Sequence, residues 1–233
     1  MGAISDWRAF WDNAHSIYVN ARHKDVHYRD IAEAIAGFVP GPQARVLDFG
    51  CGEALHADRV AAVAGDVLLC DSAPSVRAAM AARFAANPRI RVVSPEDVES
   101  LPDAGLDLIV ANSVVQYLSA AELDRLLALW RRLLTRDGTL IVADVIPPDV
   151  GALSDVVALL RYAGRHGFLL AALIGLARTA VSPYRKLRSQ LGIAQYTETQ
   201  FAAKLNAAGF TAERLAHNME HNPARISFRA KRK

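Results

Sequence analysis

The sequence predicts an α/β protein built on an open, doubly wound parallel sheet, and three observations predict it. Arg45 to Phe49 is a short β-favouring apolar run, Gly50 and Gly52 follow at once, and from Ala54 the chain turns alanine-rich and helical, so strand, glycine loop and helix come in succession. Leu106 to Asn112 is almost continuously apolar, as a parallel strand covered on both faces must be. Further apolar runs at 67–70, 90–93 and 139–145 alternate with helical patterns.

At 233 residues and 52% hydrophobic content the chain fits one substantial domain with room for an insertion. The net charge is +3, part of it in Arg229–Lys233, so a pI near 9.0 reads as a solvated tail and not as a nucleic-acid partner. Cys51 and Cys70 lack metal-ligand spacing, and no metal is expected. The early acid and tryptophan of the N-terminus form no basic-then-apolar segment, and a reduced, cytoplasmic protein is expected.

Residues 6–39 read as helices rich in aromatics and histidines, among them Trp7, Phe10, Trp11, His15, Tyr18, His23 and His27. Tyr28 to Phe38 places Ile31, Ile35 and Phe38 on one helical face that packs on the sheet, and Pro40-Gly41-Pro42 breaks the helix. In the glycine loop, two alternate glycines allow a sharp turn and close approach to a ligand, at which the next helix aims its free N–H groups. A dinucleotide fingerprint would carry glycine at the sixth place, where Leu55 stands. Asp48, two residues before the first glycine, suits a ligand with a cationic amino group. At Asp48-Phe49-Gly50-Cys51-Gly52 the chain resembles the class I S-adenosylmethionine-dependent methyltransferases, whose first motif is an acid, one spacer and Gly-x-Gly. Ala54 takes the place of that family's usual third glycine, so its backbone is expected to avoid positive φ.

A helix over 54–64 follows, then a strand ending at Cys70 before Asp71. An acid there can accept from both ribose hydroxyls, or it can belong with Ser72 and Pro74 to the start of a helix over 74–86. Both roles are compatible if Ser72 caps and Asp71 faces the ligand. Pro95 to Pro102 is similar to the family's acid-x-x-x-Leu-Pro segment, which implies that Asp97 accepts from the adenine amine and the Val98 N–H donates to a ring nitrogen, with Glu96 competing for the acidic place and an ordinary acidic loop as the other reading. Ser113-Val114-Val115-Gln116-Tyr117-Leu118 resembles the fourth motif, which faces the transferred methyl, with Asn112, Ser113, Gln116 and Tyr117 as the nearest polar groups. The Asn-Pro-Pro-Tyr and Asp-Pro-Pro-Tyr signatures of nucleobase enzymes are missing, which argues against a DNA substrate. An amphipathic helix over 120–134 is closed by Asp137-Gly138, and 139–145 is the fifth strand.

Residues 147–196 are the least family-like and are expected to form a helical lid. Within it Phe168 to Ala177 is unbroken apolar sequence flanked by Arg161, Arg165, Arg178, Arg185, Lys186 and Arg188. Ten residues fall short of the ~20 that span a bilayer. Three readings are open, in order of weight: a buried lid or dimer helix, a wall of an apolar substrate pocket, or an interfacial helix making peripheral membrane contact through 165–188. Thr197 and Gln200 form a capping box for a helix bearing Phe201, Leu205 and Ala208, and 210–215 and 226–230 read as an antiparallel strand pair. His217 and His221 read as polar residues of the joining loop.

The resemblance implies a Rossmann-like seven-stranded sheet of order 3-2-1-4-5-7-6, the last-formed strand antiparallel. Four parts follow: an N-terminal helical cap (1–43), a cofactor-binding core (44–146), the lid (147–196) and a C-terminal return to the core (197–233). The expected activity is in-line transfer of the methyl of S-adenosyl-L-methionine to a small, hydrophobic or lipid-like acceptor. The implied cofactor residues are Asp48, Gly50, Cys51, Gly52, Asp71, Ser72, Asp97, Val98 and Asn112, with Tyr28 and Arg22 from the cap, although aromatics of such a cap more often simply pack. A catalytic base is not assigned; Tyr117, His15 and His166 are candidates beside His23 and His27. The alternatives are a non-catalytic methyltransferase-like binding module and a nicotinamide-dependent oxidoreductase, the latter opposed by Leu55.

Overall fold

The computed structural model describes residues 18–179 and 192–233. His15, the aromatics before Tyr18, and Arg185, Lys186 and Arg188 of the lid lie outside the described residues.

Helix α1 (Ala21–Phe38) begins at Asn20, whose Oδ1 accepts from the His23 N–H at 2.8 Å. It starts two turns before Tyr28. Next come β1 (Arg45–Phe49), α2 (Ala57–Val63), β2 (Asp66–Cys70), α3 (Pro74–Arg83), β3 (Ile90–Val93) and α4 (Pro95–Glu99). The second half holds β4 (Leu106–Asn112), a 3-10 turn (Val115–Tyr117), α5 (Ala120–Leu133), β5 (Leu134–Val145), α6 (Ala152–His166), α7 (Leu169–Thr179), α8 (Glu198–Ala207), β6 (Phe210–Arg214) and β7 (Ile226–Arg232). The seven strands form one sheet in the order β3-β2-β1-β4-β5-β7-β6, as expected. All pairs are parallel except those of β7, which runs against both β5 and β6. Because β7 alone is reversed, β6 parallels β5, and the β6–β7 connection lands at the carboxyl edge of the sheet.

Each face of the sheet is covered. Trp130 of α5 and Phe201 of α8 pack with Leu47, Ile109 and Phe228 on one side, while Ile35 of α1, Val60 of α2 and Met80 of α3 pack with Val46, Leu108 and Val110 on the other. The capping box at Thr197 and Gln200 is present.

Several local expectations are corrected. Helix α2 starts at Ala57 because residues 52–56 turn first, with the Ala57 N–H donating to the Ala54 carbonyl. Ala54 adopts φ +43°, against expectation: the turn needs a left-handed residue there, and its methyl gains burial among apolar neighbours. Helix α3 ends at Arg83, short of residue 86. Helix α5 ends at Leu133, and Asp137-Gly138 lies inside β5, which starts early by pairing Leu134 with Leu106 and then shifts register.

The apolar run of α7 is not a core helix of this chain. Phe168 and Ala172 are buried in a small cluster with Val26 and Ala163, but Leu169, Leu170, Leu173 and Ile174 are exposed, as are Leu153 and Val157 of α6. Among the described residues no helix is long and apolar enough to cross a membrane.

Candidate active site

The glycine loop is held from beneath by β2. The N–H groups of Gly50 and Cys51 both donate to the Cys70 carbonyl (2.7 and 3.1 Å), and Gly52 donates to Asp71 Oδ2 at 3.0 Å. Gly50 and Gly52 have φ +74° and +57°. A Cβ at Gly50 would overlap Val114, and one at Gly52 would meet the Tyr28 hydroxyl at 2.6 Å. Both positions therefore require glycine for conformation and for space. Tyr28 completes the clamp by accepting from the Glu53 N–H at 2.9 Å. Alongside it Lys24 pairs with Glu53, and His56 with Asp25 at 2.9 Å.

Asp48 ends this cradle. It is buried, and that burial, followed by the charge of Asp71, pushes its pKa up to about 7. Asp71 is also raised by burial, although the amides of Ala73 and Gly52 oppose the shift. Its Oδ1 accepts from the Ala73 N–H at 2.9 Å. Ser72 is exposed and does not cap: the residue before α3 is Ala73, so Asp71 both ties the loop and supports the start of the helix. The Cys51 thiol packs at 3.6 Å from Met80 Sδ, and burial raises its pKa, so it stays neutral and turns into the core.

Two further expectations fail on geometry. The Val98 N–H donates to the Ser94 carbonyl at 3.1 Å within α4 and is not free for a ring nitrogen. Arg22 turns from the loop, its Nε donating to the His166 carbonyl at 3.3 Å. Asp97 is exposed in the first turn of α4, where its Oδ2 accepts from the Ser94 N–H at 2.8 Å in a capping box. His166 lies 3.7 Å from Asp30 Oδ2 and packs against Tyr162 with the rings tilted by 54°. Tyr117 sits on the 3-10 turn after β4, its N–H bonded to the Val114 carbonyl.

The other wall of the crevice was not legible as a site. The loop after β6 brings Asn218, Glu220, His221, Asn222 and Arg225 to the ends of β4 and β5. Glu220 Oε1 accepts from Asn112 Nδ2 at 2.9 Å and from Ser113 Oγ at 3.4 Å. Its Oε2 lies 3.4 Å from His27 Nδ1 and 3.6 Å from His221 Nδ1. Burial opposes its charge, yet His27 and His221 outweigh it and hold Glu220 well below the usual carboxylate range. The reverse holds at His27, where burial lowers the pKa and Glu220 more than restores it, so the net shift is upward.

Behind this cluster, Asp144 accepts from Ser113 Oγ (2.8 Å), Asn218 Nδ2 (3.0 Å) and Arg225 Nη1 (2.5 Å). Arg225 reaches on to Asp155 at 2.8 Å. Ser113 and Asp144 both have positive φ, +56° and +64°. Backbone strain of that kind costs on the order of 1–3 kcal/mol per residue and collects at functional sites. Asn112 Oδ1 and Gln116 Oε1 are buried acceptors with no hydrogen-bond partner among the described residues. Although Glu220, His27 and His221 approach within 4.8 Å of one another, the carboxylate already has two donors on one oxygen and two imidazoles beside the other.

Residues 46–138 match the family described as a methyltransferase domain. That stretch, under half of the chain, is similar to a methyltransferase domain, and the sheet order is the one the class I resemblance implies. Solved structures resemble the chain over more of its length. Magnesium protoporphyrin IX methyltransferase from Synechocystis PCC 6803, holding S-adenosylhomocysteine, is 17% identical with a TM-score of 0.59 over 97% of this chain and 93% of that one. The complex of the Trm112 methyltransferase activator with a methyltransferase from Haloferax volcanii gives 14% and 0.61 over 91% and 92%. The YcgJ protein from Bacillus subtilis gives 16% and 0.56 over 81% and 71%. At these identities the likeness is one of fold. No curated protein sequence matches the chain. The matched residues 46–138 thus supply the glycine-loop wall of the crevice, and the chain beyond residue 138 supplies Asp144 and the Glu220 loop.

Proposed function

We propose that the protein methylates a small, apolar acceptor, binding its cofactor between the glycine loop and the ends of β4 and β5. One observation carries the cofactor's placement. Asp48, a carboxyl kept near neutrality by burial, ends β1 beside glycines that leave no room for a Cβ, and the neighbouring β4 leads into two unpartnered buried acceptors, Asn112 Oδ1 and Gln116 Oε1. Asp48, Asn112 Oδ1 and Gln116 Oε1 are acceptors awaiting donors, and S-adenosylmethionine carries an ammonium, hydroxyls and a sulfonium. When bound, the cofactor supplies a methyl already activated for displacement. Asp48 and Gln116 accept its donors, Asp71 accepts the ribose hydroxyls, Asp97 faces the adenine edge, and the Tyr28 clamp excludes water. What remains for the protein is alignment of the nucleophile.

The test is calorimetric titration with S-adenosylhomocysteine. Micromolar binding that weakens at least tenfold in Asp71→Asn and Asp48→Asn is expected; a folded parent protein that binds none would overturn the placement.

The acceptor's apolar character rests on α6 and α7. Their exposed leucines, isoleucine and valine stand beside Arg161, Arg165 and Arg178, which are exposed and have no acidic partner among the described residues. We propose that this face rests on an anionic lipid surface, since burying the apolar side chains and pairing the arginines with headgroups satisfy both halves of it. Vesicles containing phosphatidylserine should co-sediment the protein, phosphatidylcholine vesicles should not, and Leu173→Asp should release it. Absence of binding by the parent, or concentration-dependent dimerisation abolished by the same substitution, would rule out the lipid assignment.

A further inference from the structure

Resting on the methyl-transfer reading, we infer that His27 accepts the proton of a hydroxyl nucleophile on the acceptor, and that Glu220 is the positioning residue that orients the imidazole. The placement carries this. His27 is the neighbour of Tyr28, whose hydroxyl touches the glycine loop at Glu53, and it faces Glu220, which is bonded to Asn112 and Ser113 at the end of β4. It therefore stands between the loop that cradles the cofactor and the segment that faces the methyl. No other histidine among the described residues has both neighbours. His23 is filled on Nδ1 by the Val19 N–H and kept neutral by burial, His221 is stacked on Tyr162 away from the loop, and His166 belongs with Asp30.

The Nδ1 side of His27 is turned to the carboxylate, which fixes that nitrogen as the protonated one and leaves Nε2 as the acceptor. In the reaction the acceptor's O–H bond breaks and an O–CH3 bond forms, while the S–CH3 bond breaks with its electron pair remaining on sulfur. The proton passes to Nε2. One positive charge leaves the sulfur and one appears on His27, so the buried region gains no net charge, and the new cation lies against the Glu220 anion. Solvent then removes the proton. The groups facing His27 are Glu220 and His221 from the β6–β7 loop, Asp144 from the end of β5, Tyr18 from the preceding turn, and His23, Tyr28 and Asp30 from its own helix. Glu220 leads the interactions that raise it.

A base matters for a hydroxyl that is protonated at working pH, so the inferred substrate class is an apolar phenol or alcohol. The experiment uses the full chain, labelled S-adenosylmethionine, and two probes: 4-propylphenol, which is neutral at pH 7.5, and 4-nitrophenol, which is largely ionised there. With S-adenosylhomocysteine binding established separately, both probes should be methylated by the parent. His27→Gln should lower kcat for 4-propylphenol by 10²–10⁴-fold and for 4-nitrophenol by less than tenfold, the second rate also showing that the variant is folded. Glu220→Gln should move the rising limb of the pH–rate profile to lower pH. Cofactor binding without methylation of either phenol, equal losses on both probes, an unshifted profile in Glu220→Gln, or stoichiometric zinc lost in that variant would each overturn the assignment. Failure to bind S-adenosylhomocysteine would instead remove the cofactor reading beneath it.

Discussion

Asp48 couples the crevice to pH. Its folded pKa is raised from 3.8 to about 7, so between those values the folded state holds a proton that the unfolded chain has lost. The group's contribution is fully present below the unfolded pKa, and stability falls as pH rises through about 7. The size is on the order of 4 kcal/mol. Asp48→Asn should therefore raise the cofactor-free melting temperature at pH 8 by several degrees and flatten its dependence between pH 5 and 8. An unchanged slope would show that Asp48 ionises freely. Ala54 offers a second check: Ala54→Gly relieves φ +43°, worth roughly 1–2 kcal/mol, and loses a buried methyl worth about 0.8 kcal/mol. Urea unfolding should place it within about 1 kcal/mol of the parent, whereas a loss near 3 would mean that the methyl dominates. Asp48, Gly50 and Gly52 were legible because their chemistry lies in contiguous spacing, and Asp71 because it directly follows the next strand. Glu220 was not, because its partners Asn112 and His27 come from distant parts of the chain and nothing local marks it. A signal existed in the strand order, since reversing β7 sends the polar loop 217–223 to the carboxyl edge.

At the scale of elements, α1 works as a strap across the loop. Its hold is the Tyr28 hydroxyl on the Glu53 N–H together with the ion pairs of Lys24 and Asp25. Tyr28→Phe leaves that amide without an acceptor, which costs about 1–3 kcal/mol for a buried group. It should weaken S-adenosylhomocysteine binding, and faster amide exchange at Glu53 would be the direct readout; unchanged exchange would deny the strap. Helix positions were readable wherever a period or a capping box set them, as at Thr197 and Gln200. Their ends were less so: α5 stops at Leu133 because Leu134 finds a strand partner in Leu106, a tertiary contact that overrides the turn chemistry of Asp137-Gly138. The apolar run of α7 was ambiguous for the opposite reason, since exposure is decided by what lies beside a helix and not by its composition.

Across the whole molecule, the sheet order follows from the sequence through the family pattern, and it sets where rigidity lies. β1, β4 and β5 are central and buried on both faces, whereas β3 and β6 are edges. Hydrogen exchange should protect Val46–Asp48, Leu108–Ala111 and Leu140–Val142 longest; an equally slow β6 would contradict this arrangement. The reversed β7 has one more consequence. The hydrogen bond from Asn112 to Glu220 closes 108 residues of chain, so a ribosome makes the glycine loop and the strands beside it long before it makes their opposing wall. During synthesis the nascent chain carries half a crevice, with Asn112 and Ser113 facing water, and the proposed methyl transfer must wait until β7 has emerged and turned back. The Glu220 wall is therefore acquired only after the other six strands of the sheet have been made.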